Sequence, residues 1–327
     1  GEECIMGAFQ NIGIKDYFKR YGVLNSIKRG LFTANPLHIV TDYENKKILY
    51  YRKVRRWIEN KYSYAAAVEP IGLEFGNLSP GNPVWIYWNQ GEENAPLIVK
   101  RCIESIRCYY KDSVIMLSDK NLYKYIKLPQ FIEQKWDKGI LSAAAYSDVI
   151  RFSLLEHYGG TWIDATVLLT GPLPEYVMNS DLFAFRDSLG LIYNPALFPI
   201  WLLHCRKSNQ IMRETRNILY EYWRKEKHVI EYLFTCIIFT IVLENNRDIL
   251  EQIPCVHSVC TGLLLNELEN NFSEEKLNYI TALTSVHKLT YKLKDTVTSE
   301  KGTFYEYILG QDFGNKKPYI LGKDSGI

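Results

Sequence analysis

The sequence predicts an α/β fold, a mainly parallel central sheet covered by helices with a mostly helical extension in front of it. Three observations carry that reading. Short β-rich runs alternate with helical stretches between residues 84 and 126, a glycine pair at 159 and 160 separates a capped helix from another β-rich run, and the first 64 residues differ from the rest in charge. Alternating strands and helices imply parallel strands joined by crossovers, and such sheets bind ligands beyond the carboxyl ends of their strands.

Bulk composition sets the limits. With 327 residues, 47% hydrophobic and 23% charged, the chain can bury a full α/β core and is too apolar to be disordered. Its 39 Lys and Arg against 37 Asp and Glu leave a net charge of +2. That supplies no global field for nucleic acid, so none is expected as a partner and any anion site must be local. The seven cysteines (Cys4, Cys102, Cys108, Cys205, Cys236, Cys255, Cys260) are scattered without a C-x-x-C pair, which reads as reduced thiols in a cytoplasmic protein. No charged segment followed by an apolar core and a cleavage site opens the sequence, so secretion is not expected. The most apolar run, Leu233 to Leu243, has eleven residues, short of the roughly 20 that span a bilayer, and predicts a buried helix. Aromatic residues make up 14% of the chain, which suits stacking on sugars and bases and equally a tight core.

Residues 1–80 are expected to form the extension. Up to residue 64 there are 12 Lys and Arg against six Asp and Glu, and Ile14, Tyr17, Phe18, Tyr21 and Leu24 recur at helical spacing. Lys15, Lys19, Lys28 and Arg29, then Arg52, Lys53, Arg55 and Arg56, form either a solvated face or one that meets an anionic membrane. The cluster Gly72, Gly76, Ser79, Pro80, Gly81, Pro83 ends it. A main domain over 81–300 and a tail over 301–327 complete the expected division.

Within the main domain, Val84 to Trp88 predicts a strand, and Pro96 opens a helix through Arg107. A second strand covers Ser113 to Leu117, and another helical stretch runs from Asn121 to Ile126. Trp88, Asn89 and Asp119 then fall at strand ends. Ser142 caps a helix reaching His157, with Gly159-Gly160 as its left-handed exit, so Asp148 and Arg151 are i, i+3 neighbours. The run Thr161 to Val167 is read as extended, with Asp164 and Thr166 pointing to the same side. A carboxylate amid Trp162, Ile163, Val167 and Leu168 must meet a cation, a metal or several donors. Pairing with Arg151 or a lysine is the structural alternative.

At this point the chain resembles glycosyltransferase family 32, and more narrowly the capsular polysaccharide synthesis proteins, through VWIYWNQGEENAP, WDKG, SDVIR, YGGTWIDATV and HKLTYK, over roughly residues 83–292. The resemblance implies a GT-A type, Rossmann-like domain with a D-x-D signature at a strand end. It implies transfer of a hexose with retention from a nucleotide-diphosphate sugar, by family habit a UDP-sugar, to an oligosaccharide or lipid-linked glycan of a bacterial surface polysaccharide. It also implies roles for individual residues. Asp148 and Arg151 hold donor hydroxyls, Asp164 serves the ribose and the metal-diphosphate region, and Trp85 stacks on the base. Asp119 lies at the nucleotide end, while Lys288 and Lys292 neutralise phosphate. The third signature position is Thr166, so coordination of Mn²⁺ or Mg²⁺ is expected to be weakened, with His287 as a candidate further ligand to complement Asp164. Glu231 and Tyr232 are candidate acceptor-side residues. The enzyme is placed in the cytoplasm or at the inner face of the membrane. The alternative reading is a non-catalytic sugar-nucleotide-binding protein of the capsule machinery.

Overall fold

The computed structural model describes residues 14–34, 43–77, 81–187 and 194–311. Ser79 and Pro80 of the expected boundary, and residues 312–327 of the expected tail, lie outside them. The described chain opens on helices α1 (Ile14–Ala34) and α2 (Tyr43–Tyr62), as the aromatic spacing predicts. Helix α1 bends at Gly22, whose φ of 73° suits a residue without a Cβ. A Cβ there would fall 2.6 Å from the His228 ring.

Tyr17, Tyr21, Tyr51, Val54, Ile58 and Tyr62 from these two helices are buried in one core with Trp85, Trp162 and Trp223 of the main body. Lys15, Lys19, Lys28, Arg52, Lys53 and Arg56 are exposed as expected. Two of the other basic residues turn inward instead: Arg29 pairs with Glu231, and Arg55 with Glu59 and Glu244.

Strand β1 (Glu74–Phe75) leads to β2 (Val84–Tyr87), helix α3 (Leu97–Tyr110), β3 (Val114–Leu117) and β4 (Ile126–Lys127). The helix expected over 121–126 is instead a single 3₁₀ turn, Leu122–Lys124, running into β4. Asn121 explains the difference. Its amide side chain accepts from Ser118 N at 2.8 Å and donates to Met116 O at 2.9 Å, closing a turn where a helix would have to start. Helix α4 (Ala143–Tyr158) begins at Ser142, whose hydroxyl accepts from Ala145 N, and ends at Gly159, matching the sequence expectation at both ends.

The remaining strands are β5 (Gly160–Ile163), β6 (Val167–Leu169), β7 (Leu182–Ala184), β8 (Leu202–Cys205) and β9 (Val286–Lys288). The central sheet has the order β3-β2-β5-β8-β7. β2 runs parallel to β3 and β5, but β8 is antiparallel to both β5 and β7. The sheet is therefore mixed, and the mainly parallel expectation describes only its β3-β2-β5 half. β1 with β4, and β6 with β9, form two small antiparallel pairs beside it.

Side chains alternate across the sheet. Trp85, Trp162, Leu203 and Ala184 join the core built with α4 and with α5 (Gln210–Lys225) and α6 (Phe234–Asn245). Val84, Ile163, Leu202 and Phe183 join a second core with α3 and Val286. The apolar run read as a buried helix is α6, with Phe234 to Leu243 all buried.

Candidate active site

The site forms where the parallel strands end. After Ile163 the chain leaves the sheet: Asp164 N donates to Trp201 O at 2.8 Å, and Val167 N donates to Asp164 O at 2.9 Å. Asp164, Ala165 and Thr166 thus form a turn between β5 and β6, not the continuous extended run that the sequence predicts. The turn makes a carboxylate at this place possible, because its side chain leaves the packed sheet and is about a quarter exposed.

Gly160 sets the strand's position. Its φ is 92°, and a Cβ would lie 2.2 Å from Pro83 O, the carbonyl that accepts from Thr161 N at 2.8 Å. The strand leading into Asp164 can approach β2 this closely only without a side chain there.

Helix α4 delivers the facing groups. Arg151 is 5% exposed, and its Nη2 lies 3.3 Å from Asp148 Oδ1 and 3.2 Å from Asp164 Oδ1. Nη2 also donates to Ser147 Oγ at 3.0 Å, Nη1 donates to Ile200 O, and the guanidinium lies over the Trp162 ring at 4.9 Å. Its Nε is buried, with no acceptor among the described residues. The i, i+3 pairing and the ion pair anticipated from the sequence are both present, in one cluster.

The two carboxylates differ electrostatically. Burial pushes Asp148 up to about 6, against the opposing pull of Arg151 and of the nearby Thr235 hydroxyl. Burial acts on Asp164 in the same direction, but Lys288, Arg151 and the Trp162 N–H outweigh it and hold this carboxyl below its ordinary value. Lys288, from β9, makes the difference. Its Nζ donates to Asp164 Oδ2 at 2.9 Å and to Thr166 Oγ1 at 2.6 Å. Pairing of Lys288 with Val167, and donation from Leu289 N to Thr166 O at 2.9 Å, anchor it there.

Other candidate residues are placed differently. Trp85 is 0% exposed, donates from Nε1 to Gly159 O at 2.9 Å, and packs edge-on against Tyr125 and tilted against Tyr158. It is a core residue here and presents no face for a base. Trp88, one residue past β2, is only partly buried and meets Tyr291 edge-on at 5.2 Å. Asp119 lies at the surface beyond β3, accepting from the Tyr87 hydroxyl at 2.5 Å, and partial burial of its carboxyl raises its pKa. Among the described residues no ion pair or side-chain hydrogen bond joins Lys292 to the Asp164 cluster, and partial burial, with the charge of Arg20, pushes its pKa down.

His287 is not brought to Asp164. Adjacent strand residues face opposite ways, so while Lys288 meets Asp164, His287 is buried with Nε2 at 2.9 Å from Thr170 Oγ1. Burial lowers its pKa to about 4.

The donor set bears on the expected metal. Asp164 is the only carboxylate of the D-A-T turn, and donors from Trp162, Arg151 and Lys288 occupy both of its oxygens. Among the described residues no three His, Cys, Asp or Glu side chains gather as a metal site. A divalent cation beside Asp164 and Thr166 would also stand against the Lys288 ammonium. The residues as arranged do not fit Mn²⁺ or Mg²⁺.

Tyr232 and the buried Thr235 also stand near the two carboxylates. Tyr232 is 50% exposed, and burial with the charges of Asp148 and Asp164 raises its hydroxyl to about 12. It was a candidate from its sequence position; Thr235 carried no signal beyond its place in an apolar run.

A buried guanidinium thus joins two carboxylates at the carboxyl edge of the parallel strands, beside an anchored lysine. The chain belongs to the capsular polysaccharide synthesis protein family, whose profile matches residues 39–308. Among solved structures it is similar to the PaToxG glycosyltransferase, with 13% identity, 81% of this chain and 96% of that chain covered, and a TM-score of 0.37. No curated protein matches the sequence. No described helix is long and apolar enough to cross a membrane.

Proposed function

We propose that the protein is a retaining, GT-A type glycosyltransferase akin to family 32, moving a hexose from a nucleotide-diphosphate sugar, by preference a UDP-sugar, to a glycan acceptor in capsule or surface polysaccharide synthesis. One observation carries the reading: Arg151, nearly fully buried, joins Asp148 and Asp164 at the strand ends, where Asp148 is buried at an electrostatic cost. A fold gains little from holding a carboxylate at a desolvation cost, whereas a sugar ligand supplies the hydroxyl donors that offset the penalty. Membership of the capsular polysaccharide family accords with such a substrate.

In this account Asp148 accepts hydrogen bonds from donor-sugar hydroxyls, and Asp164 faces the ribose and diphosphate end. Arg151, with both Nη atoms already engaged by protein groups, fixes the two carboxylates in place. The acceptor hydroxyl approaches C1 on the leaving-group face. Its oxygen bonds to C1 as the C1–O bond to the diphosphate breaks, the electron pair stays on the diphosphate oxygen, and that oxygen takes the acceptor proton. The protein contributes orientation and charge stabilisation.

The acceptor is a free or lipid-linked oligosaccharide. Exposed Lys15, Lys19 and Lys28, with Val23 and Leu24 exposed at 64% and 66% on the same helix, support a peripheral membrane approach in the cytoplasm.

The test is nucleotide release across a panel of UDP- and GDP-sugars, comparing the wild type with Asp164→Asn. Release from one donor, lost in the variant, is the expected result. Absence of both release and nucleotide binding across the panel sinks the reading.

A further inference from the structure

A transferase acting on a nucleotide diphosphate needs positive charge where the leaving group develops its negative charge. In this protein the place beside Asp164 and Thr166 holds an ammonium, 2.9 Å from Asp164 Oδ2 and 2.6 Å from Thr166 Oγ1.

We propose that Lys288 performs in this protein the task of a divalent cation, holding the donor's diphosphate and stabilising it as it leaves, so that donor binding and turnover proceed without metal. This rests on the glycosyltransferase reading above.

Four observations support the assignment. An ammonium has three N–H donors. Asp164 and Thr166 take two, and no other described group accepts from Lys288, so the third remains for a ligand. The side chain is 28% exposed, open enough to be reached and enclosed enough for its charge to be felt. Its position is fixed from both sides, by β9 pairing with β6 and by the Leu289 N–Thr166 O bond, so little reorganisation accompanies charge development.

Thr166 supplies the last. An aspartate in its place would set a second carboxylate against Asp164 and create the demand for a doubly charged ion. Threonine leaves one carboxylate, which one ammonium neutralises. The substitution in the D-x-D pattern and the lysine 122 residues away are two halves of one arrangement. Lys288 transfers no proton in this scheme. The C1–O electron pair passes to the diphosphate oxygen and the acceptor proton follows it there.

The experiment is calorimetric titration of the full chain with inorganic pyrophosphate in EDTA and in Mg²⁺, using the wild type, Lys288→Ala and Lys288→Arg, with Mn²⁺ binding followed by electron paramagnetic resonance. The wild type is expected to bind pyrophosphate with similar affinity in both conditions and to take up no Mn²⁺ at the turn. Lys288→Ala should lose about tenfold or more in affinity, the scale of one charge-assisted hydrogen bond, and Lys288→Arg should retain most of it.

The double variant Lys288→Ala/Thr166→Asp, which restores the second carboxylate, should acquire Mn²⁺ binding and bind pyrophosphate only with metal. Wild-type binding that requires Mg²⁺, an unchanged affinity in Lys288→Ala, or no pyrophosphate binding in either condition overturns the proposal. Circular dichroism separates loss of binding from loss of fold, and the gain of Mn²⁺ in the double variant needs a folded protein to appear at all. Failure here with donor release intact leaves the transferase reading standing. Pyrophosphate binding without release or binding of any sugar nucleotide leaves the diphosphate site standing and removes that reading.

Discussion

Arg29 in α1 and Glu231 in the turn before α6 form a buried ion pair across 202 residues of sequence. The arginine lies 4.2 Å above the Tyr21 ring, and the other carboxylate oxygen of Glu231 accepts from Tyr232 N at 2.7 Å. Residues 14–34 precede the family-matched segment 39–308, yet through this pair they hold the turn that presents Tyr232 beside Asp148 and Asp164. Removing one partner leaves a buried charge uncompensated. Arg29→Ala should therefore cost about 3 kcal/mol or more in denaturant unfolding, and Arg29→Lys should recover part of that loss.

Asp148 makes stability depend on pH in a direction opposite to that of most carboxylates. Burial raises its folded pKa from 3.8 to about 6, so the folded state binds the proton more tightly than the unfolded state. The associated stability is fully present below the unfolded value and is lost as pH rises through about 6. Melting temperatures of the wild type and Asp148→Asn, measured from pH 5 to 8, should show the wild type falling relative to the variant as pH increases. A constant difference over that range would refute the assignment.

Gly160→Ala is expected to be among the most harmful single-atom additions in the chain. The residue has a φ of 92°, and the new Cβ would meet Pro83 O at 2.2 Å. Backbone strain alone is of order 1–3 kcal/mol, and relief of the clash must shift β5 and with it Asp164. The expected outcome is a lowered melting temperature together with weakened donor binding.

Trp85→Phe separates core from site. The change removes the 2.9 Å bond from Nε1 to Gly159 O, worth about 1 kcal/mol net, from a residue with no exposed surface. Denaturation should register the loss, while nucleotide affinity should stay within about twofold of the wild type, because the ring does not reach the ligand.

These cases also mark what the sequence could carry. The ends of α4 were readable because Ser142 and Gly159-Gly160 act locally, through one hydroxyl–amide bond and two positive φ angles. The burial of α6 was readable from its unbroken apolar run. The i, i+3 relation of Asp148 and Arg151 followed from helix geometry alone.

Other features depend on pairings that no local pattern encodes. VWIYW is apolar throughout, so nothing told Trp85, which faces inward, from Trp88 at the strand end. The direction of β8 is decided by its partners β5 and β7, and a run of four residues, Leu202 to Cys205, encodes no direction of its own. The approach of Lys288 to Asp164 spans 124 residues. Strand alternation could have told Lys288 from His287 only once β9 was known to pair with β6.

The most direct measurement of the central claim is kcat/KM for nucleotide release by Asp148→Asn, Arg151→Lys and Asp164→Asn, with His287→Ala and Trp85→Phe as controls on the same donor. Losses of about 10²-fold or more are expected in each of the first three, the scale of neutralising a preorganised carboxylate or of losing the guanidinium fork that fixes both carboxylates, with the controls within about fivefold of the wild type. Near-normal turnover in the three site variants, or an equal loss in the controls, would contradict it.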